Sequence, residues 1–177
     1  MSTQIIMLNG GSSSGKTGIS RCLQSMLPHP WLRISIDDLV DSLPPALLES
    51  DVGISFGLQG EVSSGAGFRA IEAAWMAGIA TMARAGARII LDDVFLGGAE
   101  SQARVRGYLD GLEVLWVGVR CPAEIAAGRE MTRGDRVVGM AASQAKSVHA
   151  DVAYDVEVET SRSESIECAR IIASRVV

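Results

Sequence analysis

Positions 10 to 17 read Gly10-Gly11-Ser12-Ser13-Ser14-Gly15-Lys16-Thr17. A backbone that wraps a polyphosphate needs glycines, because side chains would block the approach and some positions need positive φ. Successive N–H groups then form an anion nest, and a following helix presents its positive end to the same charge. The spacing is G-x-x-x-x-G-K-[ST], the phosphate-binding P-loop pattern. On this pattern Lys16 is expected to reach the β- and γ-phosphates of a nucleotide, and the Thr17 hydroxyl to ligate Mg²⁺.

Two acid pairs and an arginine series could act on a phosphate held there. Arg88-Ile89-Ile90-Leu91-Asp92-Asp93 is an apolar run ending in acid. Such a strand brings a carboxylate near the metal, so Asp92 is expected at Mg²⁺ through water, with Asp93 facing the acceptor. A buried strand followed by a capping aspartate would read the same way. Asp37-Asp38 follows Trp31-Leu32-Arg33-Ile34-Ser35-Ile36. One aspartate of that pair is expected to cap the next helix and the other to work; Asp37, nearer the strand, is taken as general base. Arg129, Arg133 and Arg136 are spaced by four and three, so they share a face if helical. That face is either a solvated surface or a lid, about residues 128–140, whose arginines neutralise the transferring phosphoryl group.

Elements must position these groups. Gln4–Asn9 reads as a buried strand and Thr17–Leu27 as a helix with Ile19, Leu23, Met26 and Leu27 on one face, ended by Pro28. Trp31–Ile36 is a second strand, and the short helix after it breaks at Pro44-Pro45. The glycine-rich stretch of about residues 44–67 reads as a small hairpin turning at Gln59-Gly60, or a folded loop. It is expected to wall the acceptor site; a surface insertion without ligand contact is the other reading. Phe68–Ala85 is a helix closed by Gly86, with Trp75 as core. Ser101–Leu109 is a helix, and Glu113–Val119 a strand carrying Trp116 as core. A helix starts at Pro122, another spans Gly139–Val148, and Val156–Thr160 is the last strand. Ser163 is expected to cap the final helix, with the loop before it beside the adenine. Alternating strands and helices predict an α/β, three-layer P-loop kinase fold. Its five-stranded parallel sheet would run in the order second, third, first, fourth, fifth.

The chain has 177 residues, 47% of them hydrophobic, and a net charge of −5. It is expected to form one domain over residues 1–177. The acidic balance argues against nucleic acid or an anionic membrane as partner. Cys22, Cys121 and Cys168 are scattered without metal-ligand spacing, which predicts buried reduced thiols. The N-terminus enters a strand directly, and no apolar run could span a bilayer, so a cytoplasmic location is expected. A homo-oligomer is compatible with the sequence.

Several segments together resemble the chloramphenicol phosphotransferase family. They are Leu8–Lys16, Cys22-Leu23-Gln24-Ser25, Ile89–Gly98, Leu115–Cys121 and Arg133-Gly134-Asp135-Arg136-Val137. The resemblance runs along nearly the whole chain. It implies an ATP-dependent kinase that modifies a hydroxyl of a small antibiotic, so that the drug no longer fits its target. It also implies that Lys16 and Thr17 hold ATP and Mg²⁺, that Asp37 is the base, and that Arg133 and Arg136 are lid arginines. The same loop would serve a metabolic kinase of the shikimate or gluconate type, or a toxin-like kinase of a nucleotide sugar. A nucleotide-dependent switch would use it too, but no Asn-Lys-x-Asp guanine motif occurs.

Overall fold

The computed structural model describes residues 2–57, 60–133 and 139–177. Strands β1 (Ile5–Asn9), β2 (Trp31–Ser35), β5 (Arg88–Asp93), β6 (Val114–Arg120) and β7 (Val156–Glu159) form one sheet, ordered β2-β5-β1-β6-β7. Every neighbouring pair is parallel. This is the expected order of five strands, and it follows from apolar runs that can be covered on both faces. All five residues of β1 are buried.

Alternation along β1 divides the core in two. Ile6 and Leu8 face helices α1 (Lys16–Met26) and α7 (Ser165–Ala173), meeting Ile19, Leu23, Cys168 and Ile172. Ile5 and Met7 face α3 (Ala66–Arg84) and α4 (Ala99–Tyr108), meeting Met76, Ile79 and Val105. Each fully buried aliphatic side chain contributes about 2 kcal/mol through burial. Trp116 lies in the second cluster beneath the Arg106 guanidinium, 4.6 Å from the ring centroid, and Trp75 packs against its edge.

α3 ends where Gly86 takes φ +100°, with Gly86 N–H bonding Ala83 O and Ala87 N–H bonding Met82 O. That left-handed residue with two backward bonds is a Schellman close, and glycine alone takes it without strain. A third, small cluster joins Leu39 and Leu43, from α2 (Ile36–Asp41) and the turn after it, to Ile54 and Phe68. Ile54 belongs to an antiparallel hairpin, β3 (Ile54–Phe56) with β4 (Val62–Ser64). The hairpin strands are as expected; Leu58 and Gln59, half of the expected turn region, lie outside the described residues.

Two boundaries differ for the same reason. β2 stops at Ser35 rather than Ile36, because Ser35 caps α2 and draws Ile36 into the helix. Ser163 does not cap α7: Glu164 does, in a reciprocal capping box with Glu167. In both cases side-chain hydrogen bonds to orphan N–H groups decide where the helix begins.

Between α5 (Ala123–Arg133) and α6 (Met140–Ser147) stands Glu130, 3% exposed. Its carboxylate accepts from Gly139 N–H at 2.9 Å and Ala141 N–H at 2.8 Å, holding the first turn of α6 onto α5. Glu130→Ala leaves one buried and one partly buried amide without this partner and is expected to cost about 3 kcal/mol, read by denaturant unfolding. A loss no larger than that of an exposed glutamate would refute this role.

Among the described residues no helix is long and apolar enough to cross a membrane.

Candidate active site

Parallel strands deliver their carboxyl ends to one edge, and that edge carries the polar residues. In register, Leu8 pairs with Asp92, Asn9 with Asp93 and Gly118, and Ser35 with Asp92. A cavity of about 1120 Å³ opens there, lined at one end by Ser12–Gly18 and at the other by the hairpin and α3. It exceeds the roughly 300–1,000 Å³ usual for one drug-sized ligand, leaving room for two.

The loop from Gly10 to Thr17 connects β1 to α1. A Cβ on Gly10 would stand 2.6 Å from Val119 O, so the tight turn off the sheet requires glycine. Ser13 (φ 57°) and Gly15 (φ 96°) take left-handed backbone. The hydroxyls of Ser13 and Ser14 are buried with no hydrogen-bond partner among the described residues. Orphaned donors inside a left-handed amide nest fit an anion, and a nucleotide phosphate is the anion this geometry suits. Lys16, 7% exposed, donates to Gly10 O at 2.7 Å and Gly11 O at 3.0 Å, and its Nζ lies 3.6 Å from Asp92 Oδ1.

Asp92 is 5% exposed. Burial raises its pKa, the Lys16 charge opposes that rise, and the nearby Asp37 carboxylate adds to it. Among the described residues no cluster of three or more His, Cys, Asp or Glu could hold a metal. A Thr17 hydroxyl with one carboxylate still fits Mg²⁺, which keeps waters and takes substrate phosphates as its other ligands.

Ser35 resolves the Asp37-Asp38 pair. Asp38 Oδ2 accepts from Ser35 N–H at 2.7 Å, so Asp38 is the reciprocal third-position partner in the capping box whose N-cap is Ser35. Asp37 N–H donates to Ser35 Oγ, and the Asp37 side chain lines the cavity. Asp37 thus stands on the first turn of α2 rather than at a strand tip. Asp93 also lines the cavity, with Oδ1 accepting from Val94 N–H at 2.6 Å. Burial pushes its pKa up to about 6.

The end away from the loop carries the apolar side chains of Val40, Ile54, Phe56, Val62 and Phe68. Three charged groups interrupt it: buried Glu72 pairs with Arg69 at 2.9 Å and Arg104 at 3.5 Å, and all three line the cavity. Sequence reasoning missed Glu72; the Arg69–Glu72 spacing on α3 was the only signal for it. At the opposite end, residues 160–166, from the loop before the last helix and that helix's first turn, line the cavity. Arg129 donates to Thr160 O at 2.6 Å and Thr160 Oγ1 at 3.0 Å, and Thr160 Oγ1 donates to Ser14 O at 2.7 Å. Arg129 is therefore tied to the loop and is not part of a solvated face. α5 continues through Arg133. The Arg133 side chain and all of Arg136 lie outside the described residues. Cys121 and Cys168 are buried thiols as expected, whereas Cys22 is half-buried on the cavity wall.

Beneath the loop, Asn9 is fully buried and fully bonded. Its Nδ2 donates to Val148 O and Tyr154 Oη, and its Oδ1 accepts from Phe95 N–H. Tyr154 Oη meets His149 Nδ1 at 2.6 Å. Burial first, then Arg120, lowers the His149 pKa to about 4. The unfolded chain takes up this proton near pH 6.5 and the folded chain only near 4, so stability falls as pH drops through that window. The loss is on the order of 2–3 kcal/mol. Unfolding free energies of His149→Gln are expected to lack about one proton's worth of slope between pH 6.5 and 4; identical slopes would refute the assignment.

A central parallel sheet in this order, with a P-loop on the first strand and an acid-ended strand beside it, defines a P-loop kinase fold. The shikimate kinase from Acinetobacter baumannii superposes with a TM-score of 0.65 at 20% identity, covering 98% of this chain and 92% of that one. The Mycobacterium tuberculosis APS kinase CysC, solved with AMPPNP and APS, gives 0.65 at 16%, covering 98% and 95%. The family model for chloramphenicol phosphotransferase-like proteins matches residues 3–177, and the chain belongs to that family. Two Mycobacterium tuberculosis proteins named "Putative O-phosphotransferase" are 31% identical, with 94% of this chain and 79% of theirs aligned. The protein is a kinase-type enzyme that acts on a small molecule.

Proposed function

We propose that the protein transfers the γ-phosphoryl group of ATP to a hydroxyl of a small antibiotic, chloramphenicol or a related compound, and so confers resistance. The observation that carries this reading is a single cavity with a phosphate nest at one end, apolar side chains at the other, and Asp37 on its wall. Family membership supports the reaction, and the apolar side chains of Val40, Ile54, Phe56, Val62 and Phe68 support a ring-bearing acceptor.

In this mechanism the Gly10–Thr17 loop and Lys16 hold the phosphates. Thr17 and, through water, Asp92 would hold Mg²⁺, which would supply charge neutralisation at the phosphates. Asp37 takes the proton of the acceptor hydroxyl as its oxygen bonds to the γ-phosphorus. The bond from that phosphorus to the bridging oxygen breaks, and ADP leaves with the electron pair. Lys16, Arg133 and Arg136 stabilise the charge in transit. Arg129, fixed on Thr160, flanks the nucleoside.

Mass spectrometry of incubations with ATP and Mg²⁺ across a panel of hydroxylated antibiotics and polyol acids tests this. A phosphate adduct on chloramphenicol or a close analogue is expected. An adduct confined to shikimate or gluconate would overturn the acceptor assignment, and ATP hydrolysis with no acceptor dependence would overturn the transfer itself.

A further inference from the structure

Gln144 has no part in the mechanism above. It lies on α6, 132 positions from the loop it touches, and is 5% exposed while lining the cavity. Its Oε1 accepts from Ser12 N–H at 2.8 Å. The packing is close: a Cβ on Gly11 would stand 3.1 Å from Gln144 Cβ. With the oxygen spent on Ser12, the planar carboxamide turns its Nε2 arm elsewhere. Nε2 makes no hydrogen bond to a described residue, and it is not sealed within protein.

Its neighbourhood says what it could meet. Lys16 Nζ rests on the carbonyls of Gly10 and Gly11, and Ser12 is the next residue. The carboxamide therefore bonds the residue next to the two whose carbonyls hold the ammonium expected at the outer phosphates, whereas the N-terminus of α1 serves the inner ones. Glu130 steadies the helix that carries it.

We propose that Gln144 is a γ-phosphoryl contact: Ser12 fixes its carboxamide by the oxygen, and Nε2 donates to a terminal phosphoryl oxygen of ATP. This rests on the kinase reading above and adds to it a residue that distinguishes ATP from ADP. The loop's own amides cannot do so alone, because they bind phosphate whether or not a γ-group is present.

Calorimetric titration with AMPPNP and with ADP, both with Mg²⁺, tests the proposal in the full-length protein and two variants. Gln144→Ala is expected to bind AMPPNP about 10-fold more weakly while ADP changes by less than about 2-fold, since a hydrogen bond to a charged group is lost only with the triphosphate. Gln144→Glu keeps an acceptor for Ser12 N–H but replaces the donor with negative charge. It should bind AMPPNP more weakly still than the alanine variant, and lower kcat with little change in the KM of the acceptor. A prop for the loop would behave oppositely: glutamate would restore what alanine loses, and both nucleotides would weaken together. Either of those results overturns the proposal while leaving the kinase reading intact. Failure of the unaltered protein to bind either nucleotide overturns both.

Discussion

Lys16→Ala is expected to remove phosphoryl transfer almost entirely, lowering kcat by about 10²–10³-fold and weakening ATP binding as well. The magnitude follows from where the ammonium sits. It is buried, and it is held by the carbonyls of Gly10 and Gly11 in the phosphate loop. An alanine leaves the charge on the transferring group without its fixed cation. The same substitution also strips Asp92 of its cation 3.6 Å away. Burial already raises the Asp92 pKa and Lys16 is the main opposing influence, so its loss raises that pKa further. A carboxylate stranded this way costs about 3 kcal/mol of stability near neutral pH. Because a raised pKa favours the protonated form, the deficit should shrink as pH falls. Lys16→Ala/Asp92→Asn separates the two effects. The double variant should regain most of the stability and none of the activity. Near-normal turnover in Lys16→Ala would refute the role of the lysine, and an unchanged unfolding free energy would refute the buried pair.

Asp37→Asn is expected to lower transfer to the true acceptor by about 10²–10⁴-fold with ATP still bound. Asparagine keeps the shape and loses the basicity, so position and proton transfer are tested apart. The fold should tolerate the change. Asp38, not Asp37, closes the capping box with Ser35, and loss of one acidic group from the first turn of α2 costs about 0.3–1 kcal/mol. Asp93→Asn is the control. Its Oδ1 is already engaged by Val94 N–H, and an amide oxygen can keep that bond. If Asp93→Asn abolishes transfer and Asp37→Asn does not, the base is misassigned.

Much of this was legible in the residues. The loop is a local pattern, and so is each strand of the sheet: a short apolar run needs cover on both faces whatever lies elsewhere in the chain. The order of the five strands was anchored by the acid-ended strand, which belongs beside the P-loop strand where its carboxylate can reach the phosphates. Even the choice between Asp37 and Asp38 was present as Ser35-x-x-Asp38, a capping-box spacing, because it depends only on residues three apart. What the sequence by itself determined is therefore the fold, the phosphate loop and the acids that face it.

Only the tertiary structure decided the partners. Gln144 on Ser12, Glu130 on the start of α6, Tyr154 and Val148 on Asn9, and Arg104 on Glu72 are contacts between residues on different elements. In the sequence each is an ordinary polar residue on an ordinary helix or loop. Their meaning comes from burial: once packing removes water, every polar group needs a partner, and the geometry of helices on the sheet chooses which one. That choice rests on helix angles and side-chain reach across the fold, which no spacing along the chain encodes.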